Sequence, residues 1–188
     1  MLSQNKLPIP EYGISPVSQQ LSLRPSDVAV ALQLARTPGA HYQVMARNLH
    51  LGVAEVHRGV RRLERAGLVQ AAERRVNRQA LLEFLVHGVR YVFPASLGPE
   101  GPGVLTAAAA PPLAGKIPGG PSAVWPDGEA KTRGVSLVPL YRAAPQAALG
   151  DEQTYRLLAL VDVLRLGQLQ ERRLAQGLLD EALSGPAK

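Results

Sequence analysis

The chain has 188 residues, 46% of them apolar and 4% aromatic, with no cysteine and a net charge of +6. That length makes one ordinary domain, or a small domain with an appended module. The core must be built mainly from Leu, Val and Ala, and disulfides, thiolate zinc sites and cysteine nucleophiles are excluded. The first stretch holds Pro8, Pro10, Gly13 and Pro16 without a continuous apolar run, and no uncharged apolar stretch reaches the about eighteen residues of a membrane span. Secretion and membrane spanning are therefore not expected, and a cytoplasmic location is.

The placement of the charge says more than its size. Between Tyr42 and Arg78 stand eight arginines against Glu55, Glu64 and Glu73, whereas residues 151–188 hold five basic and six acidic side chains. Nearly all the excess sits in one segment. A localised arginine-rich patch favours a polyanion, because each neutralised phosphate releases counterions; the competing reading is a set of solvated helix faces.

Along the chain, residues 1–21 read as an irregular arm. Pro25, Ser26 and Asp27 start a first helix, with proline in the first turn and an acid near the positive dipole end, and Pro38-Gly39 closes it. A second helix fits His41 to Leu49, burying some combination of Val44, Ala46 and Leu49. After His50-Leu51-Gly52, the residues Val53, Val56, Val60 and Leu63 form one helical stripe with Glu55, Arg58, Arg61, Arg62 and Arg65 opposite, and Gly67 is placed to stop this third helix in a left-handed conformation. Leu68-Val69-Gln70 begins a strand, Arg74 to Arg78 is a short basic passage, and Asn77 caps a fourth helix over residues 78–87 that Gly88 ends. Val89 to Phe93 reads as a strand, Ser96 to Gly103 as a turn, and Val104-Leu105-Thr106 as its antiparallel return.

From Ala107 onward four alanines and repeated Pro/Gly pairs predict a linker or surface excursion over residues 107–142, with one extended piece at Val135 to Tyr141. Trp125 and Tyr141 read as anchors that pin it to the first domain, or else as part of a pocket or docking surface. Residues 151–165 and 168–183 predict a helical pair, with Leu157, Leu158, Val161 and Leu164 on one face and Leu174, Leu178 and Leu183 on the other. Such stripes must dock on the first domain, a second subunit or a partner protein. The expected organisation is an arm (1–21), a head (22–106), a linker (107–142) and a C-terminal helical module (143–188) for dimerisation or partner binding.

Three short helices, a tight turn before a basic third helix, and strand-like residues after it are the sequence form of a winged helix-turn-helix, mainly α with a small β-hairpin wing. Two runs carry a further resemblance: Val44-Met45-Ala46-Arg47-Asn48-Leu49, and Val60-Arg61-Arg62-Leu63-Glu64-Arg65-Ala66-Gly67-Leu68-Val69. Together with Val53 to Arg58 they resemble the helix-turn-helix of MarR-like regulators, in which a brace helix precedes a recognition helix ending in a similar run. His50 departs from the family's usual turn residue, and Gly52 replaces the usual Ser or Thr cap at a loss of a few tenths of a kcal/mol. The resemblance implies a transcriptional regulator that binds double-stranded DNA as a homodimer.

Position on the third helix gives the expected roles. Ala54, His57, Arg58 and Arg61 are candidates for base-edge contacts, with arginine to guanine the strongest. Arg62 and Arg65 come later and would touch phosphate, or pair with Glu64 or a neighbouring helix. Gln43 and Arg47 on the brace helix, and Arg74 and Arg75 beyond the third helix, are candidate backbone contacts. For the wing, the hairpin over residues 90–106 is favoured over the short passage 68–78. Two other readings keep this head: an antitoxin-like or accessory protein whose residues 107–188 bind a partner, and a head used only for protein contact. No spacing among His41, His50, His57 and His87 suits zinc, and no catalytic or nucleotide motif appears, so neither metal, cofactor nor catalysis is expected.

Overall fold

In a computed structural model, which describes residues 22–70, 72–118 and 122–184, helix α1 spans Pro25–Arg36; the expected N-terminal arm lies outside the described residues. Proline opens α1, and the Asp27 carboxylate accepts from the Arg24 amide at 2.8 Å, satisfying a donor the helix itself leaves free. From Ser26 to Ala35 the helix is buried. It is wedged between α3 (Val53–Arg65) and α7 (Glu152–Leu166). Helix α2 covers Tyr42–Leu49 and buries Met45, Ala46 and Leu49, but leaves Val44 46% exposed. His50 ends it at φ 51° and turns the chain into α3.

Helix α3 buries Val56, Val60 and Leu63 at 1% exposure or less, each contributing roughly 1.5–3 kcal/mol. Val53, the first member of the expected stripe, is 46% exposed. The end at Gly67 is as expected: at φ 73° the Gly67 amide donates to Glu64 and the Leu68 amide to Leu63, both near 3.0 Å, the paired bonds of a left-handed helix stop. The chain then forms a two-stranded antiparallel ribbon, β1 (Val69–Gln70) and β2 (Arg75–Val76), with Val69 opposite Val76 and Gln70 opposite Arg75.

Asn77 caps the next helix through a bond from the Ala80 amide at 3.1 Å. That helix runs on past the stop expected at Gly88: α4 (Arg78–Glu83) widens into a π-helical turn over Phe84–Gly88 and continues as α5 (Val89–Val92). The strand expected at Val89 to Phe93 is therefore helical. Its alternating apolar residues look like a strand, but Leu81, Leu85, Val89 and Phe93 at intervals of four make a buried stripe, and this packing overrides the local preference. Gly88 accommodates the Phe84 ring, since a Cβ there would lie 3.0 Å from it.

The hairpin expected over residues 90–106 does not form. Instead Leu97–Thr106 is one strand, β3, despite its prolines and glycines, and it pairs antiparallel with both β4 (Ala123–Pro126) and β5 (Arg133–Leu137). Since β4 and β5 pair parallel, the three strands close into a ring. The curvature is tight enough that a side chain at Gly103 would collide with the Trp125 carbonyl, and one at Gly134 with that of Ser122. The segment 107–142 is thus built into the sheet by β4 and β5 rather than acting as a linker.

Beyond an α6 (Ala144–Gly150) that the sequence pattern did not announce, α7 is buried almost all round, from Thr154 to Arg165, and α8 covers Leu169–Ser184. In α8 the inward row is Glu171, Ala175, Leu179 and Leu183; Leu174, expected inside, is 39% exposed. Of the three docking options for this pair, the first is the one observed: α7 packs on α1, α5 and α6, and the buried apolar residues from α1 to α8 form one cluster. The architecture is α+β, with one small two-stranded and one three-stranded sheet among the described residues. Among the described residues no helix is long and apolar enough to cross a membrane.

A buried ion pair joins these parts. Asp162 of α7 accepts from Thr106 (2.8 Å) and the Trp125 indole (2.7 Å) on one oxygen and from Arg165 (2.7 Å) on the other. Arg165 also donates to the carbonyls of Phe93 at 2.9 Å and Pro94 at 3.2 Å. Burial pushes the Asp162 carboxyl up, while Arg165 and the neutral donors pull against it. Trp125, 1% exposed, is an anchor, but to α7 rather than to the head; Tyr141 does bind the head, donating to the Leu49 carbonyl at 3.2 Å.

Candidate nucleic-acid interface

The outer face of α3 is organised by its two flanks. On one flank Arg62 is 4% exposed and clamped on Asp27 of α1, Nε to Oδ2 at 2.7 Å and Nη2 to Oδ1 at 2.6 Å. These bonds raise its affinity for its proton above that of an ordinary arginine. Arg62 is therefore withdrawn from the expected phosphate contacts and takes the other role foreseen for it, pairing with a neighbouring helix. Beside it Ser26 donates to Glu55 at 3.1 Å, drawing that acid toward α1. The close approach of the helices needs Gly59, where a Cβ would lie 2.9 Å from Asp27 Oδ1.

On the other flank the His57 ring stands edge-on to Tyr42, with centroids 5.2 Å apart and planes at 84°. Between the flanks runs a row at helical spacing, Ala54, Arg58, Arg61 and Arg65, all exposed. Neither these three arginines nor Arg47 has a hydrogen-bond or ion-pair partner among the described residues. Gln43 and Arg47 are exposed on α2, one turn apart. The structure thus keeps seven of the ten expected contact residues solvent-facing on α2 and α3: Gln43, Arg47, Ala54, His57, Arg58, Arg61 and Arg65.

The remaining two sit on the ribbon that directly follows α3. Arg75 is 66% exposed and 3.4 Å from Glu73. Arg74 is turned inward: its guanidinium lies 5.2 Å over the Tyr42 ring and donates to the Ala40 carbonyl at 3.1 Å. Sequence reasoning missed Tyr42 as the residue joining these parts. Its partners are 15 and 32 positions away, a separation at which no local pattern signals contact. The chain matches no protein-family model, no curated protein and no solved structure.

Proposed function

We propose that residues 22–92 form a winged helix-turn-helix head that binds duplex DNA, and that the chain regulates transcription, in keeping with the resemblance of residues 44–69 to MarR-like regulators. The row Ala54, Arg58, Arg61, Arg65 carries this reading, because unpaired guanidiniums with no acid among them on one helix face suit phosphates and guanine edges better than water alone. An α-helix fills a major groove about 12 Å wide. In it, Ala54, His57, Arg58 and Arg61 would face base edges, while Gln43, Arg47 and Arg65 would face phosphate. The β1–β2 ribbon, rather than residues 90–106, takes the place of the wing.

One head reads only a short half-site, so we propose that two copies pair. The inward faces of α7 and α8 are used within the chain, and among the described residues the large apolar side chains exposed by 48% or more, available for that contact, are Tyr91, Val92, Leu97, Val138, Leu149 and Leu169. The test is fluorescence anisotropy with duplex DNA over a range of salt. Affinity should fall steeply with salt, and Arg58→Ala with Arg61→Ala should weaken binding at least about tenfold with thermal unfolding unchanged. Binding unaffected by the double substitution would remove α3 as the reading helix. A monomeric mass in solution, with and without DNA, would remove the pairing.

A further inference from the structure

Tyr42 opens α2, and two segments distant in sequence meet on its ring. His57 of α3 approaches edge-on at 5.2 Å between centroids, and the guanidinium of Arg74, from the turn between β1 and β2, lies 5.2 Å over the ring. Arg74 is tied a second time, to the Ala40 carbonyl just ahead of α2, at 3.1 Å. It holds φ 47°, a left-handed conformation that a non-glycine residue keeps when its surroundings over-determine it. The ribbon it belongs to has only two residue pairs. A ribbon that short is marginal by itself, so its angle to α3 must be set from outside.

We propose that Tyr42 and Arg74 form a clasp that fixes the wing against the reading helix, making both of them positioning residues that carry no charge to the nucleic acid. The inference rests on the DNA reading above and deepens it by dividing labour within the ribbon. The Arg74 guanidinium is spent on a ring face and a backbone carbonyl. Its neighbour Arg75, 66% exposed and paired with the similarly exposed Glu73 at 3.4 Å, is the ribbon's charge for phosphate. Tyr42 also fixes His57 at the edge of the reading face, so one ring sets both the wing and a base-edge candidate.

The test uses the full chain and a fluorescein-labelled 20-base-pair random duplex, titrated at several salt concentrations. Tyr42→Phe, which keeps the ring face, should bind like the wild type. Tyr42→Leu and Arg74→Ala should each weaken binding about three- to tenfold, as expected for losing one cation–π or edge-on contact. Their double variant should be no weaker than either single one, and the slope of log affinity against log salt should stay at the wild-type value. Arg75→Ala, by contrast, should lower that slope by about 0.9. A slope lowered by Arg74→Ala, additive losses, or an inert Tyr42→Leu would overturn the clasp. Absence of any duplex binding by the wild type would instead sink the DNA reading. Amide exchange of the free protein then decides the clasp by itself: Tyr42→Leu and Arg74→Ala should accelerate exchange over residues 69–76 to the same extent, and unchanged rates would refute it.

Discussion

Replacing Asp27 by alanine isolates the interaction that locks α3 to the body of the protein. In the native chain Asp27 accepts three hydrogen bonds, from the Arg24 amide and twice from Arg62, and both charged side chains are 4% exposed or less. The substitution leaves a guanidinium buried without its counter-charge, a loss of about 3–5 kcal/mol. Against a total stability of roughly 5–15 kcal/mol, that is about a fifth or more of what holds the fold. For a chain of this length it lowers the thermal midpoint by roughly 6–20 °C. Urea unfolding followed by circular dichroism at neutral pH measures it. Exchanging the pair for apolar residues of similar volume, Asp27→Leu with Arg62→Met, should recover most of the loss, since no charge is then stranded. A loss below about 1 kcal/mol for Asp27→Ala would mean that Arg62 escapes to solvent, and it would return Arg62 to the residues proposed to contact DNA.

Three further outcomes follow from the same geometry. Trp125→Phe keeps an aromatic ring but removes the indole donor to buried Asp162; a bond to a charged acceptor contributes about 1.5–3 kcal/mol, and circular dichroism rather than fluorescence must read the loss because Trp125 is the only tryptophan. Asp151 is affected first by burial, which raises its pKa, but the Thr154 amide and Arg36 outweigh this and hold it below the ordinary carboxylate value. Its contribution is therefore fully present above the unfolded pKa of about 3.9 and is lost as pH falls through the folded value. The urea midpoint of the wild type should drop in that acid window more than that of Asp151→Asn, and parallel profiles would remove Asp151 as the cause. Finally, a chain ending before α7 should fail to fold, because α7 fills the centre of the shared core; a cooperative thermal transition from residues 1–150 would show that the head is independent.

The local signals fixed the first three helices and the ends of several elements. Pro25 at a helix start, Gly67 at a left-handed stop and Asn77 as a cap each act through the adjacent backbone, so their effect is complete within about a turn. The exposed arginines of α3 follow from the same periodicity: once Val56, Val60 and Leu63 face inward, Arg58, Arg61 and Arg65 must face out. Arg62 lies at the border of that face, where the sequence leaves open whether it meets water or a neighbouring helix. Asp27, 35 positions away, decided it.

Elsewhere the deciding partners were remote. The glycines and prolines of Leu97–Thr106 and of residues 107–142 look like turns and linker because they carry little intrinsic preference for a strand. They become a closed three-stranded sheet because Gly103 and Gly134 allow backbones to touch and because Trp125 and Thr106 find a buried carboxylate on α7. Helix α7 shows the same limit from the other side: apolar around nearly its whole circumference, it read as a docking stripe and is instead the element on which head, sheet and C-terminal helix converge. The arginine row was thus set by 3.6-residue periodicity alone. The inward turn of Arg62 and Arg74, and the division of the basic segment into solvent-facing and structural charges, came from contacts that only the folded chain brings within reach.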